Sequence, residues 1–125
     1  MKSISTTNAP MPAGHYSQAM VYGGLVYVAG QLPIDPQNPG VISEDPAEQT
    51  RQALANVSAI LEAAGSALHC VVQMTIYVTD VSLWPTVNAT YSEVLGEHRP
   101  ARAIVPVGTL KEGMLIEIQA IAGMA

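Results

Sequence analysis

The sequence predicts an α+β domain of two layers, a single mixed β-sheet with two helices packed on one face. Three observations carry this. Two segments, 46–64 and 83–95, place apolar residues at helical spacing along one stripe each. Six other segments are strand-length runs rich in apolar and β-branched residues, bounded by Gly and Pro. Finally, strand 69–80, helix 83–95 and strand 101–107 succeed one another as a βαβ crossover, which makes the two strands parallel neighbours.

The elements follow in order. Lys2 to Thr6 is a short β-branched strand, and Asn8-Ala9-Pro10-Met11-Pro12-Ala13-Gly14 breaks it into a loop. Strands 16–22 and 25–32 flank Gly23-Gly24, a two-residue hairpin turn in which both positions tolerate positive φ. Gly30 inside the return strand marks a bulge or a close backbone approach. Residues 33–45 hold three prolines and a glycine and form a surface loop. Asp45 caps the first helix, Pro46 fits its first position, Glu48 stands three residues after the cap, and Gly65 ends it. His69 to Asp80 reads as one long strand. The second helix carries Trp84, Val87, Tyr91, Val94 and Leu95 on one face and closes at Gly96. Strand 101–107, a loop at 108–113 and strand 114–122 complete one domain spanning 1–125.

Composition narrows the function. Hydrophobic residues are 49% and charged residues 12%, a low charge density for a surface wholly in water, so another subunit is expected over the helix-free sheet face. The net charge is −5 with five Lys and Arg and no basic run, which argues against nucleic-acid binding through a charged face. No apolar run approaches the roughly 20 residues of a membrane-spanning helix. The first residues lack the apolar stretch of a signal peptide, and the single Cys70 cannot form an internal disulfide, so the expected location is the cytoplasm.

There is no phosphate loop, dinucleotide fingerprint, zinc-protease motif or CxxC. His15, His69 and His98 have no metal-ligand spacing, so neither metal nor cofactor is expected. Two charges stand out. Arg102 lies in Pro100-Ala101-Arg102-Ala103-Ile104-Val105-Pro106 and Glu117 in Leu115-Ile116-Glu117-Ile118, both read as buried strands. A charge inside an apolar strand is costly unless paired. The residues alone leave two readings open. Arg102 and Glu117 are a structural ion pair, or they are a carboxylate clamp and a general base serving a ligand.

Six segments in order give the chain a family resemblance over nearly its full length. They are Gly14-His15-Tyr16-Ser17-Gln18-Ala19, 25–33, 49–56, Val87-Asn88-Ala89-Thr90-Tyr91, Pro100-Ala101-Arg102 and Ile116-Glu117-Ile118-Gln119-Ala120-Ile121-Ala122. The chain resembles the RidA/YjgF family. The resemblance implies a chorismate-mutase-like α+β fold with the last strand inserted inside the sheet, and a homotrimer with ligand clefts between subunits. It implies hydrolysis of reactive 2-imino or enamino acids to 2-keto acids and ammonia, the activity of a 2-iminobutanoate/2-iminopropanoate deaminase.

By position, Arg102 matches the arginine that binds the substrate carboxylate, and Glu117 the glutamate that positions or activates water. Tyr16 and Asn88 match cleft residues, and Gly30 lies where the backbone approaches the ligand. The chain departs from the family where His15 replaces a frequent proline. It departs again where Ala103 and Ile104 follow the arginine in place of Ser or Thr and of Thr or Cys. Backbone groups at Ile104 can still meet the ligand, in a more apolar pocket. Two alternatives accompany this expectation: a deaminase for a larger carboxylated enamine such as 2-aminomuconate, and a non-catalytic, chaperone-like trimer that binds 2-keto acids.

Overall fold

The computed structural model describes residues 1–111 and 113–125, so position 112 of the expected loop 108–113 lies outside the described residues. Six strands, β1 (Lys2–Ile4), β2 (Ala19–Tyr22), β3 (Leu25–Gln31), β4 (Val71–Val78), β5 (Ala101–Pro106) and β6 (Ile116–Gly123), form one sheet. Helices α1 (Pro46–Ala63) and α2 (Trp84–Leu95) lie beside each other on one face. The strand order is β1-β2-β3-β6-β4-β5. Among the described residues, only β4 and β5 pair in parallel, as the crossover through α2 requires; the other pairings are antiparallel. The last strand sits inside the sheet, between β3 and β4, as the family resemblance implies.

Local chemistry accounts for the element ends. Asp45 accepts a hydrogen bond from the Ala47 N–H at 3.0 Å and caps α1 behind Pro46. The Glu48 carboxylate pairs with Arg51, and so does not complete a capping box. Gly65, at φ +85°, closes α1: the Gly65 N–H donates to Glu62 O and the Ser66 N–H to Leu61 O. Gly23 and Gly24 both have positive φ, and the β2–β3 hairpin turns on them.

Alternation along the strands sorts side chains to two faces. Met74, Ile76 and Val78 of β4 and Ile116, Ile118, Ala120 and Ala122 of β6 face the helices, with Leu54, Val57, Ile60 and Leu61 of α1 packed above them. Tyr77, Glu117, Gln119 and Ile121 point to the face without helices, where the Tyr77 hydroxyl donates to Gln119 Oε1.

Three expectations require correction. His69 and Cys70 do not begin β4; Leu68–Cys70 is a single 3-10 turn, and its Cys70 N–H bonds Ala67 O. Strand β2 begins at Ala19, so Tyr16 belongs to the preceding loop. Most importantly, β5 is not a buried strand. It is the sheet edge, and Ala101, Ala103, Val105 and Pro106 are exposed in the single chain. A run of small and β-branched residues does not say whether a strand is central or at an edge with cover from elsewhere.

Candidate active site

Arg102 is presented by the edge strand toward α2. It lies opposite Met74 in the parallel register, on the helix side of the sheet. There the helix supplies three groups one turn apart, Trp84, Asn88 and Tyr91. The guanidinium donates from Nη1 to Asn88 Oδ1 at 2.9 Å. Its central carbon lies 5.6 Å from the Trp84 ring centroid and 4.9 Å from that of Tyr91, inside cation–π range. All three partners are neutral, and no acidic group among the described residues pairs with Arg102. The arginine is therefore oriented without being neutralised, and most of its five N–H donors remain available. Ile104, two residues on and on the same face, is half-buried against the core.

Tyr91 is more than a core ring. It is 5% exposed, and its hydroxyl is the one buried side-chain polar atom without a hydrogen-bond partner among the described residues. Burial pushes its phenol pKa up, and the Arg102 charge offsets part of that shift.

Glu117 occupies a second place. It lies opposite Tyr77 in the β4–β6 register, on the helix-free face, and is half-buried. Its carboxylate rests over Gly30: a Cβ added there would overlap Glu117 Oε2 and lie 2.9 Å from its Cδ. Gly30 sits where the β3–β6 register shifts between Val28 and Gln31. The close approach expected at Gly30 is thus made by a side chain of the same protein. Tyr16 is at this end of the sheet, since the Ala29 N–H bonds Gln18 O, two residues after Tyr16. The Tyr16 hydroxyl accepts from the Ala13 N–H at 3.4 Å, and its ring is 52% exposed. Buried Gln18 fixes this loop: its amide donates to Thr6 O and Pro10 O and accepts from the Thr6 N–H.

The site residues therefore fall into two groups. Asn88, Arg102 and Ile104 are together on the helix side at the β5 edge; Gly30 and Glu117 are together on the open face, with Tyr16 in the adjoining loop. Arg102 and Glu117 do not form an ion pair, because the register puts their side chains on opposite faces of one sheet. Sequence reading passed over Trp84 and Tyr91 as supports of Arg102. The spacing 84, 88 and 91 placed them on one helical stripe with Asn88, a signal masked because both also count as apolar core residues.

Among the described residues no three His, Cys, Asp or Glu side chains come together in a way that could hold a metal ion, and no helix is long and apolar enough to cross a membrane.

Comparison with known proteins agrees on one family. The family model described as Endoribonuclease L-PSP matches residues 6–124. A 2-iminobutanoate/2-iminopropanoate deaminase of Salmonella typhimurium is 44% identical over 124 residues, covering 97% of this chain and 96% of that protein. A RutC family protein of Pyrococcus horikoshii is 47% identical over 119 residues, covering 95% and 94%. Among solved structures, the YjgF gene product of E. coli superposes with a TM-score of 0.94 at 41% identity, covering 100% of both chains. TdcF of E. coli, solved with bound serine, gives a TM-score of 0.94 at 36% identity over 100% of both chains. The sheet order, the two-helix layer and these matches together make the chain a member of the Endoribonuclease L-PSP family, the RidA/YjgF family.

Proposed function

We propose that this protein hydrolyses reactive 2-imino or enamino acids to 2-keto acids and ammonia, acting as a 2-iminobutanoate/2-iminopropanoate deaminase without metal or cofactor. The observation that carries this reading is Arg102: a guanidinium held by Asn88 and two aromatic rings, with no acidic partner among the described residues, suits a small carboxylate. The deaminase name of relatives at 43–44% identity supports the same chemistry.

Arg102 binds the substrate carboxylate through two charge-assisted hydrogen bonds and fixes the C=N bond. Glu117 accepts a proton from water as the water oxygen bonds to C2 and the C=N π pair moves to nitrogen. Glu117 returns that proton to nitrogen, giving the neutral carbinolamine, then takes the carbinolamine's hydroxyl proton and delivers it to the same nitrogen as the C–N bond breaks, which releases ammonia and leaves C=O. Glu117 ends as it began. Imines hydrolyse unaided in water, so orientation and proton transfer suffice. Because Arg102 and Glu117 lie on opposite faces, one small ligand meets both only in a cleft between two copies. In this reading the protein is a homotrimer with inter-subunit sites. Tyr16, Gly30 and Glu117 come from one copy, and Asn88, Arg102 and Ile104 from its neighbour. The expected setting is the cytoplasm.

The test couples an amino-acid oxidase to the protein, traps nascent imine with semicarbazide, and measures the trapped product beside Arg102→Gln. Trapping falls with the wild type and returns with the variant if the proposal holds. Unchanged trapping over all parent amino acids, from a folded oligomer that still binds 2-keto acids, would leave the non-catalytic binding reading in its place.

A further inference from the structure

A cavity of about 420 Å³ opens beside Arg102, between the C-terminal half of α2 and the turn that leads into β5. Its size falls in the range of about 300–1,000 Å³ typical of small-molecule sites. Tyr91, Leu95, His98, Arg99, Pro100 and Arg102 line it, and none of the lining residues is acidic. In a chain of net charge −5 this is an unusual concentration: two of its five Lys and Arg and one of its three His surround one cavity. The end of α2 accounts for part of it, since helix C-terminal carbonyls attract cations. Yet two of those carbonyls are already occupied. The Gly96 N–H donates to Ser92 O and the His98 N–H to Leu95 O. His98 Nε2 pairs with Val71 O, while Arg99 has no acidic partner among the described residues. Arg99 is thus a surplus cation beside Arg102, and a one-carboxylate ligand on Arg102 leaves it unused.

We propose that this cavity is a subsite for the distal end of the ligand, and that the protein prefers dicarboxylic 2-imino and 2-oxo acids. The carboxylate next to the reacting carbon engages Arg102, and the distal carboxylate engages Arg99. This rests on the carboxylate role of Arg102 proposed above and assigns the substrate class of that site.

Calorimetric titration of the full chain with 2-oxoglutarate and with 2-oxobutanoate, at matched ionic strength, tests it. The expected result is roughly tenfold tighter binding of 2-oxoglutarate, the scale of one added charge-assisted hydrogen-bonded contact. Arg99→Gln removes that preference and Arg99→Lys retains part of it. Equal affinities in the wild type, or a preference that survives Arg99→Gln, overturn the subsite while leaving the Arg102 clamp standing. Binding of neither acid overturns both.

Discussion

The two halves of the candidate site are built in opposite ways. Arg102 stands on an edge strand, and its position depends on another element: Asn88, Trp84 and Tyr91 all reach it from α2. Glu117 stands on a central strand paired on both sides, and its place is set by a gap, the missing side chain of Gly30. One charge is held by added contacts, the other by space left free. Arg102 therefore loses its orientation gradually as supports are removed, whereas Glu117 is displaced by a single methyl group.

This contrast orders the expected effects. Glu117→Gln keeps the shape and removes the proposed base, so kcat is expected to fall by about 10²–10⁴-fold with KM little changed. Arg102→Gln removes the two charge-assisted hydrogen bonds proposed to the substrate carboxylate, about 1.5–3 kcal/mol each, so kcat/KM is expected to fall at least ~100-fold, mainly through KM. If both variants moved kcat alone, the division into binding half and chemical half would break. Gly30→Ala drives the Glu117 carboxylate out of its place, and misplacement of this order costs about 100-fold in kcat. Its thermal midpoint stays near wild type, because the clash falls on the flexible end of a side chain. Trp84→Leu gives the smallest effect, a two- to fivefold rise in KM, about the 0.5–1 kcal/mol of one exposed cation–π contact. A Trp84→Leu protein as impaired as Gly30→Ala would show that both halves are equally unforgiving. Steady-state kinetics on imine generated in place, with circular dichroism melting as the folding control, reads all four.

Much of the frame was legible in the residues. Asp45-Pro46, Gly65 and Gly23-Gly24 act locally, and each does in the structure what its chemistry indicates. The crossover from β4 through α2 to β5 was equally readable, because handedness and length leave little choice. Position within the sheet was not. Nothing local to Ala101–Pro106 says that it lies at an edge, and nothing local to Ile116–Gly123 says that it inserts between β3 and β4; the family resemblance implied the insertion inside the sheet, but not the edge position of β5. The error at His69 and Cys70 has a similar cause, since one 3-10 turn beside an apolar run carries no pattern of its own. The opposite orientation of Arg102 and Glu117 required the β4 register against both neighbours, where Met74 and Tyr77 differ by an odd number of residues.

That opposition makes a shared site between copies the central claim, and co-expression of two crippled chains tests it most directly. Arg102→Gln and Glu117→Gln proteins are each expected to keep about 1% of wild-type activity or less when made alone. Made together in equal amounts and assembled at random, about one quarter of inter-subunit clefts combine an intact Arg102 with an intact Glu117 from neighbouring copies. Recovery of about a quarter of wild-type activity per cleft is the predicted result. Activity no higher than that of either variant alone, from mixed oligomers verified by mass, would contradict it and place both residues in the service of one copy.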